Sequence, residues 1–378
     1  MTLLVLGLLL AQSDALAPWR EGVKVTRVSS EDLHSIHSYF VASPESPDGQ
    51  RILFYASGDS TGHVGQIRIL ERSTGKARVL VERVEAEDAH RAACQQWISG
   101  GRRVVFHALR SNRWAVVCVD VETARERVLA EDRMVGWGQP GQNVVPLYGP
   151  HWNPGEHRNL ELLDVDTGAL ETVLKAEDVK KAYPEWLARR FGERPVSIFF
   201  PILSPDLERV MFKIATPAGG DFRSANASSR EGLFFGDLKG RRLLSMRESW
   251  GHPSWHADCR TVINMGTVLI DCESGKHTPV AGLPKFPGSH PSFSPDGKLF
   301  TTDTDAEPFG GPKGSWAIVV GSPATGDFVI LHRFDNTRGA RSWRRSHPHP
   351  AFSADGRRIY FNVSSDDWTR LHVAERTR

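Results

Sequence analysis

Short apolar or alternating runs, each opened by a tight polar turn, recur along the whole chain. SPDGQRILF begins at Ser46, ISGGRRVVF at Ile98, SPDLERVMF at Ser204, HADCRTVIN at His256, SPDGKLFTT at Ser294 and SADGRRIYF at Ser353. A degenerate copy, QPGQNVVPL from Gln139, fills the gap after the second. A Gly/Pro/Asp turn followed by a run rich in β-branched and aromatic residues reads as a turn and a strand. The spacing, roughly 40 to 65 residues, is the period of a propeller blade. A second turn recurs later in the units, as in ERSTGKARVL at Glu71, VETARERVL at Val121, DVDTGALETVL at Asp164, DLKGRRLL at Asp237, DCESGKHTPV at Asp271 and SPATGDFVIL at Ser322. It reads as the hairpin joining the outer two strands of a blade. Seven units with two hairpin signals each predict an all-β chain, a seven-bladed β-propeller of four-stranded antiparallel blades, forming one domain over residues 18–378. The one long helical pattern, residues 176–195, falls between blades; Pro184 interrupts it, which predicts short helical pieces on the rim.

Composition changes this picture little. The formal net charge of +2 in 378 residues leaves no global field to gather a polyanion, so nucleic acid is excluded as a partner and an anionic ligand must be met by local clusters. The N-terminus, an apolar run from Leu3 to Ala11 followed by small residues, reads as a secretory signal over residues 1–17, too short to span a membrane. It predicts an exported protein, periplasmic or secreted. Of the cysteines Cys94, Cys118, Cys259 and Cys272, the last two flank the segment RTVINMGTVLID. A two-residue turn at Met265 and Gly266 would set them opposite one another, near enough to bridge.

The chemistry lies in the histidines. Stepping back four residues from three successive turns gives His252, His290 and His349, each followed by proline. Equivalent positions at the start of the innermost strands face one mouth of the central channel, so these imidazoles are expected to converge. His347 lies two residues before His349, on the same side of a segment that Pro348 and Pro350 should hold extended. His290, His347 and His349 then make a three-nitrogen site for a divalent transition metal. Nearby runs hold Arg338, Arg341, Arg344 and Arg345, and Asp303 with Asp305 follows the strand after His290. Arginine forks suit carboxylates, so Arg341 and Arg344 with Asp303 and Asp305 are candidate contacts for an acidic sugar. Gly58–Gly62 matches GxSxG, but the strand HVGQIRIL follows where a nucleophile elbow needs a helix, so it reads as a loop.

At these residues the chain resembles the oligogalacturonate lyases, seven-bladed propellers that cleave pectin-derived oligouronides by β-elimination. The likeness runs through HSYF around His37, RAACQQWISGGRRVVF from Arg91, SWGHPSW, SHPSFSPDG with TDTDAEP, and SHPHPAFSADGRRIYF. It implies a manganese ion on His290, His347 and His349, a histidine base at His252 and an arginine upstream of it, Arg230. It also implies an acidic oligosaccharide as substrate. The family's fourth ligand, a glutamine, falls at Arg344, and a guanidinium has no lone pair to give. Water, Gln95 or Gln96 could take that place, with Gln96 a candidate substrate contact, or Arg344 could pair with the substrate carboxylate in place of the metal. The alternative to a lyase is a non-catalytic exported propeller that serves as a binding module.

Overall fold

The computed structural model describes residues 14–29, 31–224, 226–336 and 346–377. Its strands form seven four-stranded antiparallel sheets. The innermost strands are His34–Ile36, Gln96–Ile98, Met134–Val135, Ser197–Leu203, Ser254–Trp255, Ser292–Phe293 and Ala351–Phe352. Six blades are built from consecutive strands; in the seventh, Val23–Arg27 pairs with Arg370–Arg376, so the N-terminal strand closes the ring. The predicted seven-bladed propeller is the observed fold.

The repeated turns explain why these sequences make blades. In SPDG-type turns the serine hydroxyl donates to the aspartate two residues on, at 2.5 Å for Ser46 and Asp48, 2.5 Å for Ser204 and Asp206, 2.7 Å for Ser294 and Asp296, and 2.6 Å for Ser353 and Asp355. The same hydroxyl accepts from the backbone N–H that starts the next strand, as in Arg51 and Arg358. This side-chain closure makes the turn the local optimum wherever the motif occurs. The outer turns use the same device, with Asp120, Asp164 and Asp271 each capping a Thr or Ser three residues on. Because neighbouring blades pack face to face, some strands are buried on both sides, and every residue of Ser197–Leu203 is buried. Two short helices, Ala176–Ala182 and Pro184–Phe191, occupy the predicted insertion and break at Pro184. The Gly58–Gly62 segment is a loop between strands Arg51–Ser57 and Val64–Glu71.

A buried ion pair fastens the first blade to the last. Arg358 donates from Nε and Nη2 to the Glu45 carboxylate at 2.8 and 3.0 Å, and the Tyr360 hydroxyl adds a bond of 2.5 Å. Arg358→Met strands the buried Glu45 charge and is expected to cost about 3–5 kcal/mol, read from the urea midpoint. Adding Glu45→Met should recover most of that loss.

One expectation is corrected here. The loop joining Thr261–Asn264 to Val268–Asp271 has three residues rather than two, since Asn264 pairs with Val268. That slips the register by one and places Cys272 against Arg260, whose carbonyl accepts the Cys272 N–H. All four cysteines are free thiols. The extra residue is Thr267, held at a left-handed φ of +53° by its hydroxyl bond to the Pro284 carbonyl. At the N-terminus, residues 1–13 lie outside the described residues, and the expected cleavage point after Ala17 falls within the helix Ala17–Arg20. Leu16, just before it, is buried with Trp19 against the last two blades. Among the described residues no helix is long and apolar enough to cross a membrane.

Candidate metal centre and cationic mouth

His252, His290 and His349 each sit two residues before an innermost strand, at Ser254, Ser292 and Ala351, in three successive blades. Their shared register brings them together as expected. The His252 ring stacks on His290 with centroids 4.1 Å apart, and His290 lies 5.3 Å from His347 and 4.6 Å from His349. A histidine that the repeat did not single out completes the group. His90, on the connection from strand Lys76–Glu85 into the second blade, lies 4.8 Å from both His347 and His349. One ring nitrogen from each of His90, His347 and His349 falls within 4.8 Å of the others.

The segment carrying the pair is not extended throughout. His349 takes a left-handed φ of +46°, a strained value for a residue before proline. Tertiary bonds hold it there. The Asn362 N–H donates to the Pro348 carbonyl at 2.8 Å, the Asn362 amide donates to Ser346 Oγ at 2.7 Å, and His37 Nε2–H donates to the His349 carbonyl at 2.6 Å. His37 thus positions a ring rather than joining the cluster.

The electronic state of the rings suits a metal. Burial lowers His347 to about 4 and His290 to about 3, and holds His349 well below the usual imidazole range. All are therefore neutral near pH 7, with lone pairs to give. Both ring nitrogens of His349 and Nδ1 of His347 are buried without a hydrogen-bond partner. Buried polar atoms are seldom left unpaired, and a divalent cation is the group that pairs several imidazole nitrogens at once. The donor set fits a metal.

Asp303 corrects an expectation. It is wholly buried under His290, taking its backbone N–H at 2.6 Å and its Nδ1–H at 2.8 Å, so it orients a ring instead of meeting a sugar. Burial pushes its carboxyl up to about 7. A carboxylate behind a histidine fixes the tautomer and leaves Nε2 as the free donor. Asp305 caps the turn Glu307–Phe309 through the Glu307 N–H at 3.0 Å. The Gln96 amide is spent on backbone of the next blade, donating to the Gly136 carbonyl and accepting the Gly138 N–H, and the Gln95 amide donates to the Ile36 carbonyl. Neither glutamine is brought to the cluster as a ligand or a sugar contact. Arg338, Arg341, Arg344 and Arg345 lie outside the described residues.

His252 donates Nδ1–H to the Ser289 carbonyl at 3.0 Å, which leaves Nε2 with its lone pair. Beyond it the mouth turns cationic. Arg91 lies 5.1 Å over the Phe200 ring, Arg230 5.8 Å over Phe199 and Lys213 4.5 Å over Trp250. Arg91 is paired to Glu87 at 3.0 Å, and Glu87 also meets His151 Nε2 at 3.3 Å. Arg230, expected from the sequence, therefore belongs to this cationic group. Lys213 and His90 carried no sequence signal, since each falls outside the repeated register.

The fold and this mouth together define a seven-bladed propeller with an imidazole cluster and a cationic wall at one end of its channel. Among solved structures, an oligogalacturonate lyase in complex with manganese superposes with a TM-score of 0.64 at 18% identity, covering 94% of each chain. An oligogalacturonate lyase from Vibrio parahaemolyticus gives 0.62 at 18% identity over 93% of each chain. The hydrazine synthase of Kuenenia stuttgartiensis gives 0.50 at 14% identity, over 91% of this chain and 97% of that one. At these identities the likeness is one of fold. No family model and no curated protein sequence matches the chain.

Proposed function

We propose that the protein is a carbon–oxygen lyase that cleaves acidic oligosaccharides of the oligogalacturonate type by β-elimination. The observation that carries this reading is the buried imidazole cluster with unpartnered nitrogens, set beside cations in one mouth. Support comes also from the shared fold with oligogalacturonate lyases, one of them in complex with manganese. His347 and His349 with His290 or His90 are the residues to hold a divalent ion, manganese being the candidate. Such an ion supplies a Lewis acid that offsets the substrate carboxylate, whose charge otherwise opposes removal of the neighbouring C5 proton.

The chain's own groups do the rest. His252 Nε2 takes the C5 proton, and its Nδ1–H bond to Ser289 keeps the ring in the tautomer that can do so. The C5–H electron pair becomes the C4–C5 double bond as the C4–O bond breaks, its pair leaving on the departing sugar's oxygen, which takes a proton from water. Arg230 stabilises charge that develops at the carboxylate. Asp303 keeps the His290 ring in place.

The test is to incubate manganese-loaded protein with oligogalacturonate and follow the ultraviolet absorbance of the unsaturated product. A steady rise, absent after chelation and restored by manganese, is the expected result. Full metal occupancy with no product from oligogalacturonate would refute the substrate assignment.

A further inference from the structure

Lys213 lies in strand Arg209–Pro217 of the fourth blade, and Arg230 near the start of its partner Ser228–Asp237. The ladder between them slips beside Phe212 and Ile214, and Gly232 at φ +79° lies at the slip. Bulges of this kind re-aim side chains next to functional sites. Among the described residues neither cation forms an ion pair or a hydrogen bond. The charged and titratable groups facing Lys213 are Arg230, Arg91, Glu231 and His252. Arg91 is matched by Glu87, while Glu87 and Asp88 reach Arg230 only through space. Burial, then Arg230 and Arg91, hold the Lys213 ammonium well below its usual range; burial and Arg91 lower Arg230 in the same way. Cations crowded into a half-buried wall gain from an arriving anion, which restores the charge that burial disfavours.

We propose that Lys213 and Arg230 form a second anion site, beside the imidazole cluster, which takes the carboxylate of the sugar next to the one being cleaved. Arg230 has five donors and serves both this site and the reacting sugar. That the anion is a sugar carboxylate rests on the function proposed above; the anion site itself stands on the geometry. One consequence follows: substrates need adjacent carboxylates.

The experiment is calorimetric titration of the chelator-treated protein with digalacturonate and with its dimethyl ester near neutral pH. Wild type is expected to bind the diacid at least about tenfold more tightly than the diester. Lys213→Met should bind the diacid about tenfold more weakly, and Lys213→Arg should regain affinity. Equal binding of diester and diacid, or diacid affinity unchanged in Lys213→Met, overturns the proposal. Should Lys213→Met not fold, acetylation of Lys213 in wild type, read by mass spectrometry, provides the second arm. Digalacturonate is expected to protect Lys213, and absence of protection also overturns the proposal. A sulfated disaccharide that binds where digalacturonate does not, and more weakly to Lys213→Met, would keep the anion site and overturn the carboxylate. Digalacturonate binding without elimination by the manganese-loaded protein supports the site and refutes the lyase reading alone.

Discussion

The double variant His347→Ala/His349→Ala is expected to lose its metal, falling from about one equivalent to near none by plasma mass spectrometry on protein prepared without chelators or a histidine tag. These two residues contribute the unpartnered nitrogens of the cluster, so their removal deletes donors for which the fold offers no other bonds. Separate His90→Ala and His290→Ala variants identify the third donor. His90 belongs with His347 and His349 to a group whose ligating atoms lie within 4.8 Å of one another, whereas His290 has a carboxylate behind it. If His290 is the ligand, Asp303→Asn should weaken metal binding by about 10–100-fold, the usual effect of losing the partner that orients a ligating ring. Wild-type protein that takes up no manganese after reconstitution would refute the metal centre.

His252→Ala carries the other large effect. If His252 Nε2 removes the C5 proton, its loss should lower kcat by about 10²–10⁴-fold while manganese content stays at the wild-type level. The two readouts separate a base from a ligand: a ligand loses both metal and rate, a base loses rate alone. His252 stacks on His290 at 4.1 Å, so the variant also opens space beside a candidate ligand, and the metal measurement controls for that disturbance. A His252→Ala enzyme that forms unsaturated product at the wild-type rate ends the base assignment.

Much of this was legible in the chain because the signals are local. The SPDG turns close on their own side chains, within five residues, so each copy announces a strand wherever it occurs. The helix break at Pro184 is equally local. Errors arose where a distant partner overrode a local preference. Thr267 is an unusual residue for a left-handed φ, and its bonds to Pro284 and Val280 hold the three-residue loop that parts Cys272 from Cys259. Asp303 looked like a group for solvent or sugar, yet the strand that carries it turns it inward beneath His290. Gln96 looked available, and the neighbouring blade's backbone consumes its amide.

The sequence by itself determined the number of blades, their hairpins and the common register of His252, His290 and His349, because periodic turns and His-Pro pairs are properties of short stretches. Tertiary structure alone decided the rest of the mouth. His37 and His349, which share a hydrogen bond, are separated by 312 positions, and the ring must close before either has a partner. His90 joins His347 and His349 only because the connection into the second blade brings its ring to within 4.8 Å of theirs. Lys213 and Arg230 become a cationic wall only when a bulge and burial remove the water that would otherwise screen them. Local sequence encodes the turns; charge, burial and convergence over hundreds of residues exist only after the blades pack.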